Sequence, residues 1–384
     1  LKSAGIYLDY NSTTPVDPEV LNYMLPFFRE KFGNASSKTH PFGWVAEETV
    51  EIAREQIARA LGSEKSEIIF TSGATESANL AIKGVYESYA RKGKHIIAYA
   101  TEHKAVLDCF ASLQKRGAEI TLLPIDSEGL PDPDLLDRSI REDTVLVCAM
   151  MANNETGVIF PVKELSHIVH EKKSLFMCDA TQAFGKVPLD VNDLGIDLMC
   201  LSSHKIYGPK GCGALYIRRR DPRVTLKAQI DGGGHERGLR SGTLNVPGIA
   251  GFGKAAELAM KNMHEGSAKI QELRDSLEAA LMTIKNSFVN GRNAGRLPNT
   301  LNITFPGIRS AQLIKKLSHI AMATGSACSS ALPEPSHVLM AMGLSEPEAY
   351  SSLRISLGKY TTREETGTAA DSIIRAHEEL IRSA

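Results

Sequence analysis

Between residues 66 and 220, seven short apolar runs alternate with segments that carry the helical period. The runs are Ile68–Phe70, His95–Ala100, Glu119–Leu123, Val145–Met150, Leu175–Cys178, Leu198–Ser202 and Ala214–Ile217. Several of the intervening segments are 12–20 residues long and amphipathic. Parallel strands need crossovers of about a dozen residues or more, and an amphipathic helix covers a sheet face. The pattern therefore predicts an α/β fold with a mostly parallel seven-stranded sheet covered by helices. In such sheets ligands sit at the loops beyond the strand carboxyl ends.

The rhythm changes after residue 220. Helix-like stretches at 246–262 and 267–284 precede a strand Thr300–Phe305, a helix Ser310–Leu317 and a Gly/Ser-rich loop around Cys328. A strand Leu353–Leu357 and a final helix from Thr362 follow. This predicts a large domain over residues 15–261. A smaller α/β C-terminal domain is expected from residues 262–384 together with residues 1–14.

The 44 basic and 45 acidic residues nearly cancel, which argues against a general nucleic-acid binder. The longest apolar run, Val145–Ala152, has eight residues, far short of the ~20 that span a bilayer. The first residues lack the apolar segment of a signal peptide, so a cytoplasmic protein with no membrane partner is expected. Of six cysteines no two are spaced C-x-x-C, so no metal site is expected. Six in 384 residues is also too sparse for a disulfide scaffold. Cys109, Cys148, Cys178 and Cys200 lie in apolar stretches and are expected in the core. Cys212 and Cys328 are flanked by Gly or Ser.

Three polar clusters fall just after predicted strands. Ser72-Gly73-Ala74-Thr75-Glu76-Ser77 opens a helix, where small residues and free amides suit an anion; Thr75 or Ser77 can equally be a helix N-cap. Asp179 closes another run, with Gln182 one turn on. A buried carboxylate needs a partner, either helix amides or a cationic ring nitrogen. Ser202-Ser203-His204-Lys205 leads into the Gly/Pro-rich turn 206–213. A partly buried lysine loses basicity and can attack a carbonyl. Pyridoxal 5'-phosphate (PLP) needs an imine-forming lysine, an acid facing the pyridine nitrogen and a phosphate cup. Lys205, Asp179 and the 72–77 turn supply all three.

The ordered motifs carry a resemblance along nearly the whole chain. They include Leu8-Asp9-Tyr10, Thr101-Glu102-His103-Lys104, Asn153-Asn154-Glu155-Thr156-Gly157, Ser202 to Gly213, Gly232-Gly233-Gly234, Arg240-Ser241-Gly242-Thr243, Gly325 to Ser330, and Arg354-Ile355-Ser356-Leu357-Gly358. The sequence resembles the NifS/IscS-type cysteine desulfurases, fold-type I PLP enzymes of the class V aminotransferase group. The resemblance implies that Lys205 forms the imine with PLP, Asp179 faces the pyridinium nitrogen and Gln182 bonds the ring phenolic oxygen. It implies that His103 stacks on the ring and moves protons. Ala74 would lie at the cofactor, and Thr75, Ser202 and His204 would hold its phosphate. Thr243 would reach the phosphate of the other subunit of a homodimer. Asn154 and Arg354 would receive the substrate carboxylate, a task suited to a planar guanidinium.

Cys328 would accept sulfur from L-cysteine as a persulfide and pass it to an acceptor such as an iron–sulfur scaffold, for cluster assembly or for thio-cofactor or tRNA thiolation. L-Alanine would be the other product. His235 stands where many relatives have Gln, and Cys212 where a small aliphatic residue is usual; Cys212 is expected to pack. The alternatives are a selenocysteine lyase, another class V aminotransferase and a non-catalytic sulfur-relay subunit.

Overall fold

The computed structural model describes residues 5–324 and 334–383. Its strands, in chain order, are β1 (Ile6–Tyr7), β2 (Ile68–Thr71), β3 (His95–Tyr99), β4 (Glu119–Leu123), β5 (Thr144–Met150), β6 (Leu175–Asp179), β7 (Leu198–Ser202), β8 (Gly213–Ile217), β9 (Phe288–Val289), β10 (Thr300–Thr304), β11 (Ile320–Ala321) and β12 (Ser352–Ser356). The seven apolar runs become β2 to β8. They form one sheet in the order β2-β8-β7-β6-β5-β3-β4. Only β8 runs against its neighbours; the other pairs are parallel.

The inner strands are buried on both faces, which explains their near-continuous apolar sequence. Successive side chains point to opposite sides. Ile97, Val147 and Phe176 enter one core with Val50 and Ile57 of the helix Pro41–Leu61 and Phe252 of the helix Val246–Leu281. Ile96, Leu146 and Met177 enter the other, with Val85 of the helix Ala74–Ser88 and Phe110 of the helix Lys104–Gln114. β4 lies at the sheet edge and is correspondingly mixed in exposure.

A second, antiparallel sheet has the order β12-β10-β9. β1 pairs in parallel with β11, and Asp9 bridges to Ser356. Leu8, Leu301, Ile303, Leu353 and Ile355 share a core with Ile373 of the final helix Arg363–Ser383. Thr362 opens that helix: its Oγ1 accepts from Glu365 N, and Glu365 Oε2 accepts from Thr362 N, a reciprocal cap.

The stretches 246–262 and 267–284, expected as separate helices, are one helix of 36 residues, Val246–Leu281. Gly266 looks like a break, but a glycine inside a helix costs only ~1 kcal/mol. This helix buries Ile249 and Phe252 in the main core, and Leu273, Leu277 and Leu281 in the C-terminal core. Tertiary burial along both halves overrides the local signal. No helix among the described residues is long and apolar enough to cross a membrane.

Candidate active site

The carboxyl ends of β2, β3, β5, β6 and β7 open onto a cleft of about 580 Å³. Thr75, His103, Asn154, Asp179, Gln182, Ser202, His204, Lys205 and Arg354 all line it. Lys205 follows β7 on a single 3-10 turn, Ser203–Lys205. Two residues later Tyr207 takes a left-handed backbone, φ 67°, a conformation that needs support from its surroundings. Tyr207 N–H donates to Thr14 Oγ1, and its carbonyl accepts from Asp17 N–H. The turn thereby aims Lys205 back toward the N-terminal segment. Its Nζ donates to the carbonyls of Asn11 at 2.6 Å and Ser12 at 2.8 Å. Burial pushes its pKa down to about 8, and Arg354 adds to this against the opposing pull of Asp9 and Asp179.

Asp179 is the last residue of β6 and is buried. Its Oδ1 accepts from Thr181 N–H at 2.9 Å. Among the described residues no donor reaches Oδ2. The next residues form hydrogen-bonded turns and no α-helix follows directly, so Asp179 caps a turn rather than a helix. Gln182, also buried, donates from Nε2 to the Asn11 carbonyl at 2.9 Å.

Neither Thr75 nor Ser77 is the N-cap of the helix Ala74–Ser88; that position belongs to Gly73. A Cβ on Gly73 would meet only Ser202 Oγ, at 4.0 Å, whereas one on Gly213 would strike Gly73 Cα at 2.6 Å. The two glycines let β8 press against the turn from behind while its front faces the cleft. Ser77 instead bonds Thr71 Oγ1 at 2.8 Å. His204 Nδ1 lies 3.0 Å from Thr13 Oγ1. Burial, then Lys205, Lys210 and Lys186, push its pKa down to about 4.

His103 caps the helix Lys104–Gln114, its Nδ1 accepting from Ala105 N–H. The neutral ring therefore carries its proton on Nε2. Desolvation lowers its pKa; Asp179 opposes this, and Lys205 and His337 add to it. The preceding Glu102 is fully buried, and its Oε1 accepts from Met150 N–H at 2.7 Å. Burial pushes that carboxyl up to about 8, and Asp179 reinforces the shift.

Arg354 sits mid-strand in β12 and is 2% exposed. Its Nη2 donates to Asp9 Oδ1 at 2.8 Å and Ser12 Oγ at 2.7 Å, and Nη1 donates to the Asn154 carbonyl at 3.2 Å. Nε is buried with no partner among the described residues. A buried donor left unmade is costly, and the residue as a whole lines the cleft.

Thr243 is exposed and is not part of the cleft lining. Its neighbour Leu244 borders a separate groove with Glu47 and Val50. His235 makes a loop contact, its Nδ1 accepting from Gly242 N–H at 3.2 Å. Cys212 is buried and pushed up to about 12 by burial. Cys109, Cys148, Cys178 and Cys200 are buried free thiols. Cys328 lies outside the described residues. Among the described residues no group of three or more His, Cys, Asp or Glu could hold a metal ion.

The sequence reading missed Asn11, Ser12, Lys186 and Glu102. Asn11 and Ser12 act here through backbone carbonyls, which leave no side-chain signature. Lys186 and Glu102 are revealed only by their burial. The donor set fits PLP: an amine of reduced basicity, a buried carboxylate with an open oxygen, and a small-residue turn at a helix N-terminus face one cavity. PLP could be held by Lys205, Asp179, Gln182, His103 and the 73–75 turn.

The class-V aminotransferase family model matches residues 6–367. A relative from Anaeromyxobacter sp. (strain Fw109-5), named cysteine desulfurase IscS, is 52% identical over 384 residues, 98% of this chain and 92% of the relative. The solved structure of a NifS-like protein is 40% identical, with a TM-score of 0.90, covering 98% of this chain and 99% of that one. A structure of SspA in complex with cysteine is 37% identical, with a TM-score of 0.82, covering 93% of this chain and 100% of that one. The chain belongs to the class-V aminotransferase family of PLP-dependent enzymes, among its cysteine desulfurases.

Proposed function

We propose that this chain takes the sulfur atom from L-cysteine, releases L-alanine and carries the sulfur as a persulfide on Cys328. One observation carries the reading: the Lys205 amine, the Asp179 carboxylate and the 73–75 turn face a single cleft at the carboxyl edge of the parallel strands. When bound, PLP supplies a sink for the electron pair left on the amino acid's α-carbon.

Lys205 would hold the cofactor through Nζ and would take the α-proton, a role suited to an amine with pKa about 8. The Asp179 carboxylate would hold a proton on the ring nitrogen, Gln182 would bond the phenolic oxygen, and His103 would hold the ring and exchange protons through Nε2. Thr75, Ser202 and His204 hold the phosphate, with Ala74 beside them, at the start of the helix Ala74–Ser88, where free amides and the helix dipole favour an anion. Asn154 and Arg354 take the substrate carboxylate; their place in the lining of the cleft supports this. The Cys328 thiolate attacks the substrate sulfur, an S–S bond forms as the C–S bond breaks, and the β-carbon gains a proton. In sum, L-cysteine and one enzyme thiol give L-alanine and one enzyme persulfide.

The proposed homodimer is supported by exposed Phe28, Phe32, Phe42 and Trp44 in the N-terminal part of the chain, since monomers rarely expose large apolar patches to water. Phe32 and Phe42 are in ring contact at 5.7 Å. Thr243 sits beside the groove bordered by the helix Pro41–Leu61, consistent with a reach toward the other subunit's phosphate. The persulfide goes to a thiol-bearing acceptor such as an iron–sulfur scaffold, in a reducing compartment such as the cytoplasm.

The test is incubation with L-cysteine. Alanine should form, and the Cys328 peptide should gain the mass of one sulfur. Cys328→Ala should keep the absorbance of bound PLP and lose sulfur release; unchanged turnover in that variant sinks the proposal.

A further inference from the structure

Gln182 lies between two groups that leave its amide one orientation. Lys186 Nζ donates to Gln182 Oε1 at 2.9 Å, and Gln182 Nε2 donates to the Asn11 carbonyl at 2.9 Å. An ammonium only donates and a carbonyl only accepts, so turning the amide over would set donor against donor and acceptor against acceptor. The same Asn11 carbonyl accepts from Lys205 Nζ at 2.6 Å. Lys186, Gln182, Asn11 and Lys205 thus form one continuous chain of hydrogen bonds.

The surroundings of Lys186 are unusual for a lysine. It and Lys205 both border a cavity of about 100 Å³ whose walls include Ile206, Leu258, Ala259 and Met263. Among the described residues no carboxylate pairs with it. The charged and titratable groups around it are Lys205 and Arg354, with His204 nearby. The Asp17–Lys359 ion pair borders the same cavity. Burial, reinforced by Lys205 and Arg354, pushes the Lys186 amine down to about 7. An unpaired lysine kept in such a place has its hydrogen bond to Gln182 as its visible task.

We propose that Lys186 is a positioning residue: it locks the Gln182 amide so that Nε2, and not Oε1, meets the Asn11 carbonyl that Lys205 also bonds, which denies the Lys205 ammonium a further acceptor. Without Lys186 only the Asn11 carbonyl fixes the amide, and turning it over costs one partner instead of two. In the turned amide Gln182 Oε1 faces the Lys205 side and offers the ammonium a third acceptor beside the Asn11 and Ser12 carbonyls. Hydrogen bonding to a charged form favours that form, so Lys205 becomes more basic and less nucleophilic. The inference rests on the roles given to Lys205 and Gln182 above.

The test measures the rate at which acetic anhydride acylates Lys205 as a function of pH. It uses the full chain freed of PLP and mass spectrometry of the Lys205 peptide. The absorbance of bound PLP is titrated in parallel. Lys186→Met should move the Lys205 midpoint up by about one pH unit, a ~10-fold slower acylation near neutrality. Lys186→Arg, which still donates, should restore the wild-type profile. In a Gln182→Met background, Lys186→Met should add nothing, because the two act through one another. An unmoved Lys205 profile in Lys186→Met overturns the inference, even if thermal stability falls. An equal shift in the Gln182→Met background overturns it too. A wild-type chain that gives no PLP absorbance would instead defeat the reading of the site, while the acylation profile still decides the role of Lys186.

Discussion

The two sheets serve the cleft in different ways. In the seven-stranded sheet, β2, β3, β5, β6 and β7 run the same way, so their carboxyl ends meet along one edge. Asp179 and Ser202 end strands there, and Lys205, His103 and Asn154 follow within a few residues. The three-stranded sheet is antiparallel, and its strand ends alternate. It supplies one long side chain, Arg354, from the middle of β12. A parallel edge gathers several short reactive groups; an antiparallel sheet reaches in with one arm. The expected division is cofactor chemistry on the first and, with Asn154 assisting, substrate anchoring from the second.

The largest expected effect is on the parallel side. Lys205→Ala should lower the rate of alanine formation by at least ~10³-fold, since it removes both the cofactor link and the proton-transfer group. The visible absorbance of bound PLP should vanish with it. Asp179→Asn should keep the fold and lower kcat by ~10²–10³-fold, the range for removing one preorganised electrostatic group; steady-state kinetics with L-cysteine measures this. Arg354→Gln should chiefly raise KM, by ~10²-fold, because one charge-assisted contact to the carboxylate is worth about 2–3 kcal/mol. A loss in kcat as deep as that of Lys205→Ala would break the division between the two sheets.

Glu102 sharpens the contrast through stability. Its carboxyl is pushed up to about 8 from 4.5 in the folded chain, so the folded state binds the extra proton between those values. Its contribution is complete in acid, below about 4.5, and is lost as pH rises through about 8. Glu102→Gln should flatten that decline by up to ~4 kcal/mol, seen as a smaller fall in thermal midpoint between pH 5 and 8. The smallest effect is expected at Cys212. Cys212→Ala should cost ~1 kcal/mol of stability and leave the yield of persulfide unchanged.

Much of this site was legible in the chain. Strands β2 to β8 announced themselves because doubly buried strands must be apolar throughout, and polar residues directly after them marked the functional edge. Lys205, Asp179 and the 72–77 turn were visible for that reason. The Val246–Leu281 helix was misread as two because a local glycine signal is weaker than burial along both halves. Of the two roles open to Thr75, the helix cap falls to Gly73 instead. Asn11 and Ser12 stayed hidden because what they offer Lys205 is a carbonyl, which every residue has.

The sequence by itself determined the alternation of strands and helices, the family, and the residue types able to bind PLP. It did so because hydrophobic period and side-chain chemistry are local properties. Only the tertiary structure decided that Lys205 meets the carbonyls of residues 11 and 12, that Arg354 crosses from the second sheet, and that Lys186 donates to Gln182 from behind. Those contacts join residues far apart in the chain. Their energies depend on burial and on the orientation of neighbouring dipoles, which exist only once the sheets have packed.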